Sequence, residues 1–217
     1  MNVQDRRRIL GPSAAKPLAF AKPVSETEVA GTPQETPSIK TGIISNCNGS
    51  SIVENSKTSI LCSVYGPKAT RTSTFEARCE LNVILKSDLF ETNKLKELSY
   101  FLISLLESFI CLDLYPKAGI DIFINLNIEE VNELSWYIPY IVSSIVLGLI
   151  DAEVEISNIV SCGYHEGNVI CFDDRKIIGI WKDQGIFEES KFNAILVKCE
   201  EKSLENKLQI INYLGSK

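Results

Sequence analysis

Histidine is almost missing from this 217-residue chain: His165 is the only one. A Ser-His-Asp or Cys-His site would depend wholly on it. It sits in Gly163-Tyr164-His165-Glu166-Gly167, which reads as a tight hairpin turn, so an exposed turn histidine is the simpler expectation. Gly-rich phosphate loops are missing too, with neither GxxxxGK(S/T) nor GxGxxG anywhere in the chain. The seven cysteines form no CxxC pair and mostly stand among apolar neighbours, as thiols do when they fill a core in a reducing compartment. Cys162, His165 and Cys171 could supply three zinc ligands across the hairpin, but a structural zinc site wants a fourth, and none is evident. Positive charge is in deficit, with a net charge of −6, so the domain as a whole is no electrostatic trap for nucleic acid. No apolar stretch reaches the roughly 20 residues of a membrane span: the uncharged run Trp136 to Ile150 reads as a buried helix. The start, Met1 to Leu10, is polar and arginine-rich rather than apolar, and an intracellular protein is expected.

What is there divides into an arm and a domain. Residues 1–38 hold five of the eight prolines and show no sustained periodicity, so they read as a flexible N-terminal arm. Basic residues (Arg6, Arg7, Arg8, Lys16, Lys22) precede acidic ones (Glu26, Glu28, Glu35), and apolar anchors at Ile9-Leu10 and Leu18-Ala19-Phe20 would suit docking on a partner. Residues 39–217 then carry the pattern of a folded α+β domain, strands first and helices mixed in later.

Ser50 to Glu54 and Thr58 to Tyr65 read as short strands, and Gly66-Pro67 as the stop after them. From Phe75 to Leu85 apolar and polar residues alternate, as they do from Ile120 to Ile128, the period-two mark of half-buried strands. Leu95, Leu98, Leu102, Leu105 and Phe109 fall at helical spacing, with Thr92 or Asn93 as cap and Tyr115-Pro116 as the stop. Trp136 to Asp151 is apolar nearly all round, with Ser135 as its expected N-cap and Pro139 tolerable near the first turn. Three more strands are expected at Ile156 to Gly163, Asn168 to Phe172 and Ile177 to Trp181. A last helix would turn Phe192, Ile195, Leu196, Cys199, Leu204, Leu208 and Ile211 inward, closed by Gly215. The sheet is expected to be largely antiparallel.

Few residues bear chemistry. Asp173-Asp174 precedes Arg175-Lys176 in a hairpin-turn pattern rather than at metal-ligand spacing, so its structural reading outweighs a cation site. Lys68, Arg71 and Arg78 are the only basic cluster within the folded part, either a solvated loop or a phosphate-backbone contact. No catalytic, metal or cofactor site emerges from the residues.

Thr41-Gly42-Ile43-Ile44, Asn48-Gly49-Ser50-Ser51-Ile52-Val53-Glu54 and Lys57-Thr58-Ser59-Ile60-Leu61-Cys62-Ser63-Val64-Tyr65-Gly66-Pro67-Lys68 together resemble the opening of RNase PH-type domains. Tyr115-Pro116-Lys117-Ala118-Gly119-Ile120-Asp121-Ile122 and Leu147-Gly148-Leu149-Ile150-Asp151-Ala152 are similar to later segments of that family. Asp5-Arg6-Arg7-Arg8-Ile9-Leu10-Gly11-Pro12 and Gly179-Ile180-Trp181-Lys182-Asp183 resemble RNase PH-like ring subunits of the fungal RNA exosome.

The resemblance implies an RNase PH-like (ribosomal protein S5 domain 2-like) fold and a place in a six-membered ring around an RNA channel. It implies work in rRNA processing, mRNA turnover and surveillance, in nucleus, nucleolus and cytoplasm. The implied partners are other RNase PH-like ring subunits, S1/KH-type cap subunits, an associated exosome nuclease and single-stranded RNA, with no membrane and no cofactor. Active members bind phosphate and RNA partly through a Gly-rich segment with Thr-Arg just before the second helix. Here that place reads Glu133-Leu134-Ser135-Trp136-Tyr137, with no arginine. Their first helix carries arginines, whereas Leu98 to Ser108 has none. Their acidic pair lies in an excursion that this chain replaces with a direct turn through His165. The implied role is therefore noncatalytic, and the alternative is an active phosphorolytic 3'-5' exoribonuclease using Asp173 or Asp174 as acid. Lys68 and Arg71, after Gly66-Pro67, are the implied RNA contacts at the channel neck.

Overall fold

A computed structural model describes residues 37–69, 78–129, 132–183 and 189–217. Most of the expected arm therefore lies outside the described residues, although Ser38 already belongs to the first strand. The chain runs β1 (Ser38–Thr41), β2 (Gly49–Asn55), β3 (Thr58–Ala69), β4 (Glu80–Ser87), α1 (Thr92–Glu107) and a short 3-10 turn, Leu112–Leu114. It continues through β5 (Ala118–Ile128), α2 (Leu134–Asp151), β6 (Ser161–His165), β7 (Asn168–Asp173), β8 (Lys176–Lys182) and α3 (Glu189–Ser216).

Two sheets result. The larger has the order β1-β2-β3-β5-β4, antiparallel except for β4, which pairs parallel to β5 across the α1 crossover. The smaller is the antiparallel meander β6-β7-β8. The predicted alternation in β5 holds, with Ile120, Ile122, Ile124 and Leu126 all buried. These isoleucines face α1 and α2, whose Leu98, Leu102, Tyr137, Ile138, Ile141 and Ile145 are nearly inaccessible. Burying a side chain of this size contributes about 1.5–3 kcal/mol, so this seam dominates the core.

The uncharged run is the centre of α2. By length and composition this helix could cross a membrane, yet 78% of its apolar window is buried inside the fold. It packs on β2 and β3 of one sheet and on β6 and β7 of the other, which is why it is apolar nearly all round. Two glycines permit close approach. A Cβ on Gly49 of β2 would lie 2.3 Å from the Ala152 amide nitrogen, and one on Gly163 of β6 would lie 1.9 Å from the Cys199 carbonyl oxygen of α3.

Several expectations are corrected. Gly66-Pro67 does not end its strand: β3 passes through a register shift between Tyr65 and Lys68 and continues to Ala69. The strand expected from Ile156 begins only at Ser161, and Ile156 makes an isolated bridge to Ile110. Glu91, not Thr92 or Asn93, occupies the N-cap of α1, without a side-chain cap bond. Glu133 rather than Ser135 is the N-cap residue of α2, and Pro139 falls in the second turn, inside the helix. Gly215 lies within α3, which runs on to Ser216.

Two further corrections concern packing. Cys162 and Cys171 are not free thiols: they are cross-strand partners in β6 and β7, joined as a disulfide with Cα atoms 4.1 Å apart. On α3 the inward face is Cys199, Ser203 and Ile210, while Leu204, Leu208 and Ile211 face solvent. The helix carries two apolar stripes, and the one that β6 and β7 cover is set by the close pass at Gly163, which admits only backbone and small side chains.

Candidate functional site

The N-terminus of α2 is the place where the sequence first raised a question of anion binding. The first amides of any helix lack intrahelical partners and attract negative charge. Here the partner comes from the far end of β8. The Ser135 N–H donates to Asp183 Oδ2 at 3.0 Å, and Trp181 Nε1–H donates to Asp183 Oδ1 at 2.8 Å. Trp181 is itself held by a tilted ring contact with Phe101 of α1, with centroids 5.3 Å apart. The carboxylate that meets the first turn of α2 is thus also held by a packed indole. A second carboxylate borders the same end: Glu133 Oε2 lies beside the β6–β7 hairpin tip, 3.2 Å from where a Cβ on Gly167 would stand. The Ser135 hydroxyl is buried and makes no hydrogen bond.

The sequence-predicted residues are scattered rather than gathered here. His165 ends β6, and Glu166 and Gly167 form the turn at positive φ, 48° and 74°. Its side chain is only 18% exposed, so it is not the exposed turn residue expected. Burial and then the neighbouring Lys198 push its pKa below the ordinary imidazole value of 6.5, against a smaller upward pull from Glu166. Asp173 and Asp174 lie at the other end of β7, about 17 Å along the strand from Asn168, which pairs with Lys182 next to Asp183. Asp174 occupies the two-residue β7–β8 turn at φ 53° and pairs with Lys207 of α3, whose hydrogen bond holds its carboxyl below the usual range. Among the described residues no group of three His, Cys, Asp or Glu converges as metal ligands.

Lys68 stands on the bulged end of β3, opposite Gly119, and not on a loop. Its ammonium pairs with Asp121 of β5, which also accepts the Asn82 side-chain amide at 3.3 Å. Arg78 pairs with Asp113 at 2.9 Å on the surface. Arg71 falls in 70–77, outside the described residues.

The profile of the 3' exoribonuclease family, domain 1 (RNase PH), matches residues 36–155, from β1 through the end of α2. The chain belongs to this family.

Exosome complex component mtr3 of Schizosaccharomyces pombe is 29% identical over 138 residues, covering 57% of this chain and 53% of that protein. The match therefore spans about half the length of that curated relative. Rrp46 of rice (Oryza sativa) superposes with a TM-score of 0.65 at 17% identity, over 82% of this chain and 92% of that one. An archaeal exosome core gives 0.64 at 12% identity, over 81% and 86%. The Archaeoglobus fulgidus exosome with RNA bound to the active site gives 0.61 at 13%, over 79% and 86%. At such identities the superpositions establish the RNase PH-like fold, over about four fifths of the chain and so over more of it than the profile match covers. Within this RNase PH domain, Asp183 is the residue that sequence reading missed as a site element. Its only signal was its place at the end of the segment Gly179-Ile180-Trp181-Lys182-Asp183, and the hydrogen bond it makes spans 48 positions in sequence.

Proposed function

We propose that this chain is a noncatalytic ring subunit of an RNA exosome core, helping to form the channel through which RNA passes in 3'-5' processing and decay. The observation that carries the reading is the Asp183 carboxylate on the first turn of α2. The resemblance to active RNase PH domains puts phosphate just before the second helix, with an arginine to neutralise it. In this chain that helix end already holds one carboxylate, has Glu133 beside it, and has no arginine in Glu133-Leu134-Ser135-Trp136-Tyr137. A phosphate there would meet like charge where phosphoryl transfer needs positive charge and donors. Asp173 and Asp174, the acids of the alternative reading, lie at the opposite end of β7, about 17 Å along the strand from Asn168, whose cross-strand partner Lys182 precedes Asp183, so the strand does not bring them to this helix end.

The likeness to mtr3, a component of an exosome complex, supports the same assignment. In this reading the partners are other RNase PH-like ring subunits, S1/KH-type cap subunits, an associated nuclease and single-stranded RNA, in nucleus, nucleolus and cytoplasm. Lys68 and Arg71 remain the proposed backbone contacts for RNA, Lys68 by exchanging Asp121 for phosphate. The test is phosphate-dependent RNA shortening by the complex carrying Asp173→Asn with Asp174→Asn. Unchanged activity is expected; loss of phosphorolysis with the assembly intact would make this chain an active exoribonuclease.

A further inference from the structure

Cys162 and Cys171 stand three residue pairs back from the turn of the β6–β7 hairpin. His165 and Asn168 close that two-residue turn, and hydrogen-bonded and non-hydrogen-bonded pairs alternate away from it. Counting back through Tyr164–Val169 and Gly163–Ile170 puts Cys162 and Cys171 at a non-hydrogen-bonded position. There the two side chains leave the same face where the strands approach most closely, with Cα atoms 4.1 Å apart. The register by itself holds two sulfurs within bonding reach, whichever oxidation state the pair is in.

Burial decides when the pair can exchange electrons. Both cysteines are fully inaccessible. Asn206 of α3 donates from Nδ2 to the Cys162 carbonyl at 2.9 Å, and α3 passes so close at Gly163 that a Cβ there would meet the Cys199 carbonyl. On the other strand Cys171 pairs with Gly179 of β8, which lies against Phe101 and Leu105 of α1. Helix α2 packs on both β6 and β7. Thiol–disulfide exchange proceeds by attack of a thiolate on a sulfur, through a mixed disulfide with the reagent, so its rate depends on access. A reagent the size of glutathione has no path to either sulfur while these helices are seated.

We propose that Cys162–Cys171 is a redox latch on the β6–β7 hairpin, set or released only while the hairpin is open. With glutathione disulfide as oxidant, one cysteine thiolate attacks a glutathione sulfur and releases one glutathione. The second cysteine thiolate then attacks the protein sulfur of the mixed disulfide and releases the other. Two cysteine thiols are oxidised, one glutathione disulfide is reduced, and the two protons go to the departing glutathione thiolates. Reduction runs the same steps backwards. The seated fold preserves whichever state it closed on. In the reducing compartment that the sequence predicts, a disulfide is a switched bond more often than a permanent staple. The latch underlies a hairpin whose tip meets Glu133, beside the first turn of α2. It stands on this hairpin and its packing alone and does not need the ring reading.

The test refolds the full chain from denaturant with either glutathione disulfide or excess reduced glutathione. Free thiols are then alkylated in denaturant, and a glutamate-specific protease cuts at Glu166, between the two cysteines. Chain refolded with glutathione disulfide should keep the two halves joined and show five alkylated cysteines. Chain refolded with reduced glutathione should release the halves and show all seven. Glutathione disulfide added to the folded, reduced chain should form the bond at least about tenfold more slowly than in the same chain in denaturing urea, because the rate follows the small open population. The latched chain should melt about 5–10 °C above the reduced one, the effect of closing so short a loop in a chain of this size. Both states are wild type, so the comparison does not depend on a variant folding; Cys162→Ala with Cys171→Ala should erase the difference. Halves that separate after oxidising refolding, equal rates with and without urea, or equal melting temperatures would each overturn the proposal. So would a bond from either cysteine to one of the other five. None of these readouts measures ring assembly or phosphorolysis, so failure here and failure of the exosome reading are separate results.

Discussion

Replacing Asp183 by alanine removes the acceptor for two donors at once: the Ser135 amide of the first turn of α2 and the Trp181 indole N–H. Loss of a capping side chain costs about 1–2 kcal/mol. A half-buried indole N–H left without a partner adds up to about 1 kcal/mol at the low end of the usual desolvation penalty. The expected destabilisation is therefore about 2–3 kcal/mol, or about 5–10 °C in Tm for a chain of this size. Asp183→Asn keeps one acceptor oxygen but loses the charge that complements the helix end, and should cost about 1 kcal/mol. Urea unfolding followed by tryptophan fluorescence reads both, with the m-value expected to stay constant because the fold is unchanged. The alanine variant should also gain stability from added inorganic phosphate, which can take the vacated position at the helix end, while the wild type should not. An alanine variant within about 0.5 kcal/mol of wild type would show that the carboxylate is not the anion of this helix, since surface changes fall in that range.

Other outcomes follow from the same geometry. Gly163→Ala sets a methyl 1.9 Å from the Cys199 carbonyl, so β6 and α3 must separate; a loss of about 3 kcal/mol or failure to accumulate is expected in the same unfolding assay. His165 has a lowered folded pKa, so the unfolded chain binds the proton more readily. Its contribution is fully present above pH 6.5 and is lost as pH falls through the folded value, and His165→Asn should flatten that part of the stability-against-pH curve. Lys68→Ala with Arg71→Ala should weaken single-stranded RNA binding by the whole assembly equally for all sequences, with a salt slope shallower by about 0.7 for each phosphate no longer neutralised. Identical slopes would take both residues out of the RNA path.

Much of this was legible in the sequence where one periodicity had one explanation. The Ile120 to Ile128 alternation could only be a half-buried strand, and the leucines from Leu95 to Leu105 could only face one side of a helix. The motif block from Thr41 to Pro67 pointed to the family for the same reason, because its glycines meet backbone: Gly49 lies against α2, and Gly66 sits at φ 127° against Gly119. Failures came where a choice depends on what arrives from elsewhere. Helix α3 carries two apolar stripes, and only what packs on it decides which goes in: β6 passes at Cys199, and Ile210 is buried with Val53 of β2 and Leu147 of α2 while Leu208 stays out. Cys162 and Cys171 pair because a two-residue hairpin sets them opposite each other, a consequence of register that spacing alone leaves open. The cap of α2 could not be read locally, since Ser135 was the local candidate and the acceptor is Asp183. Lys68 was read as loop because Gly-Pro usually stops a strand, whereas a bulge let β3 continue and brought Asp121 within reach.

The claim that this RNase PH domain serves as a silent wall of an exosome ring meets its most direct test in the native mass spectrum of the endogenous protein. The account predicts a ring-sized hetero-oligomer with this chain present once beside other RNase PH-like subunits. A monomer, or a ring built only of copies of this chain, would contradict it.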